Sequence, residues 1–368
     1  MDIRPHRVID EHEVSMKFGI FIPQGWRKDL VGIDPSLHWG VMGGLARRFD
    51  ANEDWSSIWV YDHLHTFPHA IEEATHEAWS LMAAFAGVTG RVRLGQMCTC
   101  MGYRHPAYLA KVAATVDTIS EGRLEMGIGA GWYEHEWRAY GYGFPRAGER
   151  LAMLREGVEI MQQMWTTGYG TLDGEHYQVE RAMCFPQPLQ GTALPGSRRN
   201  GIPMWVAGGG ERKTLRIAAE YADYTNFSGM PEDFSRKSDI LRQHCSDVGR
   251  DFEEIVRSAN FNVVIGRDAG EVEARFEWIR AHYASAGLAD DAVEKIVRSF
   301  RGGPLVGTPE QILHTLTDMR SRGLSYAITY FVEAAYDTTG IDLFEREVLP
   351  ELVDHEIHKP LWGLFSGR

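Results

Sequence analysis

Short apolar runs and amphipathic stretches alternate along most of this chain. A buried-strand pattern at residues 17–22 is ended by Pro23, and residues 38–52 then space Val41, Leu45, Ala46 and Phe49 as one face of a helix. Apolar runs at 57–61 and 92–98 are each followed by a helical pattern, over 77–88 and 108–119. A fourth run, 123–128, opens into Gly129-Ala130-Gly131. After a gap the alternation resumes, with strands predicted at 203–207, 224–227, 260–265 and 326–331 and helices at 212–221, 234–248, 309–322 and 343–352. Repeated strand–helix units imply parallel strands with helical crossovers. Eight strands favour an α/β fold closed as a (β/α)8 TIM barrel over an open doubly wound sheet.

Two segments break the rhythm. Residues 169–200 hold a hairpin pattern turning at Asp173-Gly174, then Pro186-x-Pro188, and are expected as an excursion inserted after the fourth helix and lying over the barrel mouth. Residues 266–304 are charged and helical in pattern, a long connection that could form a lid. Residues 1–15 are polar and unpatterned, a flexible arm or an upstream start, and residues 16–368 read as one domain.

Composition narrows the function. A formal charge of −13 argues against a general nucleic-acid binder, which needs a basic face. No segment has the apolar length of a membrane span, and Met1 to His6 lack the apolar core of a signal peptide. Cys98, Cys100, Cys184 and Cys245 are too few and too scattered for a disulfide framework, so reduced thiols in a cytoplasmic protein are expected.

In a barrel of this kind chemistry sits at the C-terminal strand ends. The second strand ends in Asp62-His63-Leu64-His65. An imidazole there can move a proton near neutrality, ligate a metal, or serve as an inert buried group. His63 and His65, two apart on a strand, share a face and could chelate zinc, but the later strand ends supply no further histidine. A proton-transfer or cofactor-contact role for His63 is the reading kept, with no metal. The third strand ends at Met97, Cys98 and Thr99, the fourth at Gly129, Ala130 and Gly131. The fifth runs through Ala207, Gly208, Gly209, Gly210, Glu211, Arg212 and Lys213 into a helix, an arrangement suited to an anion. Two glycine-rich strand ends at one mouth point to a cofactor with a planar head and an anionic tail. Neither has the glycine spacing of a Rossmann turn or a P-loop.

Several of these runs, in order, resemble the luciferase-like flavin and deazaflavin oxidoreductases. They include Trp59-Val60-Tyr61-Asp62-His63, Arg104-His105-Pro106-Ala107, Gly127-Ile128-Gly129-Ala130-Gly131-Trp132, Trp205-Val206-Ala207-Gly208-Gly209 and Gly307-Thr308-Pro309-Glu310. The likeness extends from Met16 over nearly the whole chain and is strongest to the actinobacterial coenzyme F420-dependent branch. It implies a TIM barrel whose mouth holds the ring, with His63 at its reactive face and Asp62 also near the cofactor. It further implies a non-proline cis peptide at Met97–Cys98 and a phosphate tail held at Ala207–Arg212. The expected reaction is hydride transfer between the C5 of coenzyme F420 and a small apolar or aromatic substrate, with His63 as general acid/base. The alternative is an FMN-dependent monooxygenase with a partner reductase. The family commonly forms homodimers. Arg104, Arg212, Lys213 and Arg301 are candidates for a groove around the oligoglutamate tail of F420. Two positions depart from the sugar-phosphate dehydrogenases of the family: Phe67 replaces a tryptophan and Trp132 a glutamate. With Tyr133 and His65 they would form the substrate pocket. Glu134 and Glu136 read as a solvated helix start.

Overall fold

The computed structural model describes residues 16–190 and 201–353; the expected N-terminal arm and the last part of the excursion lie outside the described residues. Strands β1 (Lys17–Phe21), β2 (Trp55–Val60), β3 (Arg93–Gln96) and β4 (Leu124–Gly129) come first. They are followed by β5 (Met204–Ala207), β6 (Tyr224–Phe227), β7 (Val256–Ile265) and β8 (Tyr326–Tyr330). Each pairs in parallel with the next, and β8 closes the ring on β1 with Lys17 opposite Tyr326 and Ile20 opposite Thr329. The expected (β/α)8 barrel is the fold.

Helices α1 (His38–Ala51), α2 (Ala78–Val88), α3 (Pro106–Ile119) and α4 (Ala147–Thr167) cover the first half. Helices α5 (Thr214–Tyr221), α6 (Pro231–Val248), α7 (Pro309–Ser321) and α8 (Thr339–Glu347) cover the second. One continuous apolar layer lies between helices and strands, with Phe18, Ile58, Leu94 and Ile128 turned outward into it. Inside the barrel Trp59, Trp205 and Tyr326 meet edge to face at 4.8–5.0 Å and plug the lumen, so a ligand can enter only the space above them. Trp205 Nε1 donates to Glu125 Oε2 at 2.6 Å, which satisfies the buried indole.

Two expectations need correction. β3 stops at Gln96 rather than Cys98, because the Met97–Cys98 peptide is cis and the chain re-pairs with β4 only at Thr99 and Cys100. The described part of the excursion, residues 169–190, does not lie over the mouth. Its hairpin (Tyr169–Asp173 with Gln178–Met183) packs against α4, and the Glu156 carboxylate accepts from the amides of Glu175, His176 and Tyr177 at its turn. The chain then runs down the flank, where Asp117 near the end of α3 accepts from the Leu189 amide at 2.8 Å and from Gln190 Nε2 at 2.7 Å. A helix of six residues, Glu134–Ala139, stands between β4 and α4, where Glu134 and Glu136 were read as a helix start.

The 266–304 connection forms two helices, Ala269–Ser285 and Asp290–Arg301. Phe276, Ile279, Val297 and Phe300 are at most 2% exposed and pack with Phe21 and Tyr330 at the β1–β8 side of the mouth. The pair is therefore a built-in wall. Among the described residues no helix is long and apolar enough to cross a membrane.

Candidate active site

A cleft of about 330 Å³ opens at the C-terminal ends of β2–β6. Its two ends are built differently. At one end β2 delivers Asp62 and His63, and the loop after β1 brings Trp26 beneath the imidazole, with rings 4.1 Å apart and 4° from parallel. His63 Nδ1 lies 2.8 Å from Glu136 Oε2. The Glu136 carboxylate is fully buried and also accepts from the Leu64 amide (2.8 Å), the His65 amide (2.9 Å) and the Tyr103 hydroxyl (2.9 Å). Burial alone would raise its pKa, but the His63 bond and the two backbone donors outweigh that and hold it below the usual range. Glu136 is thus no solvated helix start, and the short helix that carries it owes its place to these bonds. An ionised carboxylate can only accept, so His63 Nδ1 carries hydrogen and Nε2 is the ring nitrogen left for a ligand of the cleft.

Asp62 is the second buried carboxylate of this end. Arg104 grips both its oxygens at 2.7 and 2.9 Å, and the Cys100 amide donates to it at 2.8 Å. Its side chain therefore anchors the segment after the cis peptide rather than presenting free charge to a cofactor. Arg104 is spent on this pair and on Glu77 at 2.7 Å, which removes it from the tail groove. Met97 and Cys98 line the cleft as expected, whereas Thr99 is fully buried and donates to Gln96 Oε1 at 2.8 Å, out of the cleft. Burial and the Asp62 charge push the Cys98 thiol up to about 12, so it stays protonated. Opposite, a Cβ at Gly129 would stand 2.7 Å from Cys98 Sγ, so glycine is what leaves the cleft open there. Gly131 and Ala130 continue that wall.

Trp132, Tyr133 and Phe67 surround His63 at the mouth: Trp132 and Tyr133 lie 5.8 and 5.9 Å from its ring, and Phe67 lies 5.3 Å from Trp132. His65 turns outward, its Nδ1 3.1 Å from His135 Nδ1. The two strand histidines thus have separate partners, and among the described residues no three His, Cys, Asp or Glu side chains converge as metal ligands.

At the other end Ala207 and Gly208 line the cleft with Thr214, Asn226 and Asn260. Gly209 sits against the next helix, where a Cβ would come 2.5 Å from Lys237 Nζ. Gly210 packs on Thr214, and Arg212 and Lys213 are exposed. Glu211 is turned away, its carboxylate paired with Arg236. Arg301 lies on the inserted wall, paired with Glu273 at 2.8 Å and stacked over Phe276, and does not reach the cleft. Lys237, 14% exposed and held by Asp233 at 2.7 Å, is a cation at this end that sequence reasoning missed. A larger hollow of about 610 Å³ lies between the Ala269–Ser285 helix and α8, but its ionic groups, such as Arg275 with Glu333, are already paired.

Residues 16–326 match the luciferase-like monooxygenase family. The chain belongs to that family. Within it, the chain is 30% identical over 254 residues to a phthiodiolone/phenolphthiodiolone dimycocerosates ketoreductase of Mycobacterium sp. (strain JLS), covering 63% of this chain and 62% of the relative. It is 31% identical over 222 residues to an F420-dependent glucose-6-phosphate dehydrogenase of Amycolatopsis mediterranei (strain U-32), covering 58% and 61%. Each match thus spans less than two thirds of the relative's own length. An F420-dependent secondary alcohol dehydrogenase, solved with an F420-acetone adduct, shares the fold at a TM-score of 0.71 and 18% identity over 92% of this chain and all of that one.

A luciferase-like protein implies a flavin or deazaflavin, and the cleft suits one. Between Cys98 and Gly129 there is no room for a further side chain, and at the far end a glycine turn stands beside Lys237. The indole Nε1 of Trp26, buried at the cleft wall, has no hydrogen-bond partner among the described residues.

Proposed function

We propose that this protein is a coenzyme F420-dependent oxidoreductase acting on the carbonyl or alcohol carbon of an apolar or aromatic substrate, with His63 as general acid/base. The observation that carries this reading is the His63–Glu136 pair at the mouth of a glycine-walled cleft. Relatives named for F420 and for ketone reduction support it.

A reduced deazaflavin bound in the cleft supplies hydride to the substrate carbon. Met97, Cys98, Gly129, Ala130 and Gly131 would flank its ring, and Ala207 to Gly210 with Thr214 and Lys237 would hold its phosphate. His63 gives the balancing proton from Nε2 to the carbonyl oxygen and takes it back in the reverse direction. Glu136 keeps the imidazole turned so that Nδ1–H points away from the substrate, and it stabilises the positive charge before the proton leaves. Trp132, Tyr133 and Phe67 keep water from the reacting carbon. Among the described residues no Lys or Arg lines the cleft beside these rings, so a phosphorylated sugar would find no counter-charge from them there.

The family description favours a second reading, an FMN-dependent monooxygenase with a reductase partner. One titration separates the two. Fluorescence quenching of the protein with F420 and with FMN side by side should give micromolar affinity for F420 (on the order of −8 kcal/mol) and much weaker binding of FMN. Preference for FMN would overturn the deazaflavin assignment.

A further inference from the structure

Exposed aromatic rings are scattered on most proteins, yet here several form a connected path out of the cleft. From His63 the centroid steps are 5.9 Å to Tyr133, 5.8 Å to His135, 5.1 Å to His65 and 5.3 Å to Tyr140. Trp132, 54% exposed, flanks the path, and Tyr140 at its outer end is 49% exposed. Desolvating such surface is favourable, and a contiguous patch calls for an occupant where isolated rings do not. The histidines do not spoil its apolar character. Their Nδ1 atoms face each other at 3.1 Å, so each Nδ1 satisfies the other. The charges alongside also cancel: Arg138 Nε donates to Glu134 Oε1 at 2.7 Å, and Glu136 is buried.

We infer that this path is a second substrate subsite, which binds the distal apolar chain of an elongated ketone or secondary alcohol whose reacting carbon sits at His63. The inference rests on the proposed carbonyl chemistry and deepens it: the substrate is a long-chain or aryl-chain compound rather than a compact one. Continuity with the cleft argues for this occupant. The path starts at the catalytic imidazole and meets no unpaired charge before solvent. Five to six ångström steps are spacings across which an alkyl chain can lie on successive rings.

The test is a homologous series, 2-butanone, 2-heptanone and 2-undecanone, offered to the F420-loaded protein. Dissociation constants are read from tryptophan fluorescence, and turnover from oxidation of the reduced cofactor. Affinity should tighten about twofold per added methylene, below the roughly fourfold of complete burial because the path is open on one side. Tyr140→Ala should flatten that slope beyond the middle of the series, and Tyr140→Glu, which puts charge on the path, should abolish it. Tyr108→Ala, an exposed ring on α3 away from the cleft, should leave the slope intact. A wild-type slope of zero, or one untouched by both Tyr140 variants, overturns the subsite. The carbonyl reading fails separately: long ketones would then bind with the expected slope while the reduced cofactor stays unoxidised. Oxidation by every ketone at the same KM would instead keep the chemistry and remove the subsite.

Discussion

The two ends of the cleft achieve their charge placement by opposite means. Around His63 every ionic group is buried and saturated: Glu136 accepts from four donors, and Asp62 is held by Arg104 and an amide. At the Gly208–Lys213 turn the backbone is bare, and Arg212 and Lys213 stand in solvent with no carboxylate partner among the described residues. The first arrangement fixes one geometry before anything binds. The second supplies a field and lets the ligand choose its contacts. Changes at the ring end should therefore cost stability and turnover steeply, while changes at the tail end should cost affinity in small, salt-sensitive steps.

The largest effect expected is that of Arg104→Met. It leaves the fully buried Asp62 carboxylate without its cation, and urea unfolding should show a loss of roughly 3–5 kcal/mol. A loss below about 1 kcal/mol would mean that the ring end is not held by this pair. Next comes Glu136→Gln. It keeps the shape but turns an amide donor toward His63 Nδ1, and kcat should fall by about 10²–10³ with much less change in substrate KM.

A third buried carboxylate sharpens the contrast. Glu333, past β8, has a single ion-pair partner, Arg275 at 3.1 Å, and burial raises its pKa to about 7 despite that cation. Folding therefore favours its protonated form. The unfolded chain releases that proton near the ordinary carboxyl value, so stability is lost as pH rises from about 4.5 to 7. Glu333→Gln should unfold at higher urea than the parent at pH 8, by up to about 3 kcal/mol, and the gap should close at pH 4.5. An unchanged gap across that range would show that Glu333 does not titrate as its burial demands. Glu136, also buried, has its pKa lowered, because it meets His63 and two backbone amides where Glu333 meets the Arg275 cation.

The smallest effect belongs to the tail. Arg212→Ala with Lys213→Ala should weaken cofactor binding only a few-fold (about 1 kcal/mol or less) and should reduce its dependence on salt. Isothermal titration at two ionic strengths measures both. A loss of a hundredfold would make the tail end as preorganised as the ring end and dissolve the distinction.

What could be read in advance follows the same division. The barrel was legible because period-2 apolar runs and helical spacing are local signals, and the glycine turn after β5 was legible because its residues are contiguous in the sequence. The helix α4 spaces Leu151, Leu154, Val158, Met161 and Trp165 on one face, and a fourth helix ahead of the excursion was expected without a range. Glu136 was not legible. It lies 73 residues from His63, and a glutamate opening a polar helix looks the same whether it faces water or a buried imidazole. Lys237 and the stacked Trp26 are contributed by neighbouring elements in the ring, which only the closed barrel brings together. Placing the excursion over the mouth failed for a related reason: Asp117 and Glu156, the residues that pin it to the flank, sit on helices that carry other apparent roles.

The proposed proton transfer depends most on the Glu136 carboxylate dictating how His63 carries its hydrogen. Nitrogen-15 NMR of histidine-labelled protein, with the His63 signals assigned by their absence in His63→Asn, reads this without any substrate. The neutral imidazole should show hydrogen on Nδ1 and a free Nε2, the form less favoured by an isolated histidine. A neutral His63 protonated on Nε2 would contradict the pairing with Glu136, and with it the proton donor on which the proposed chemistry rests.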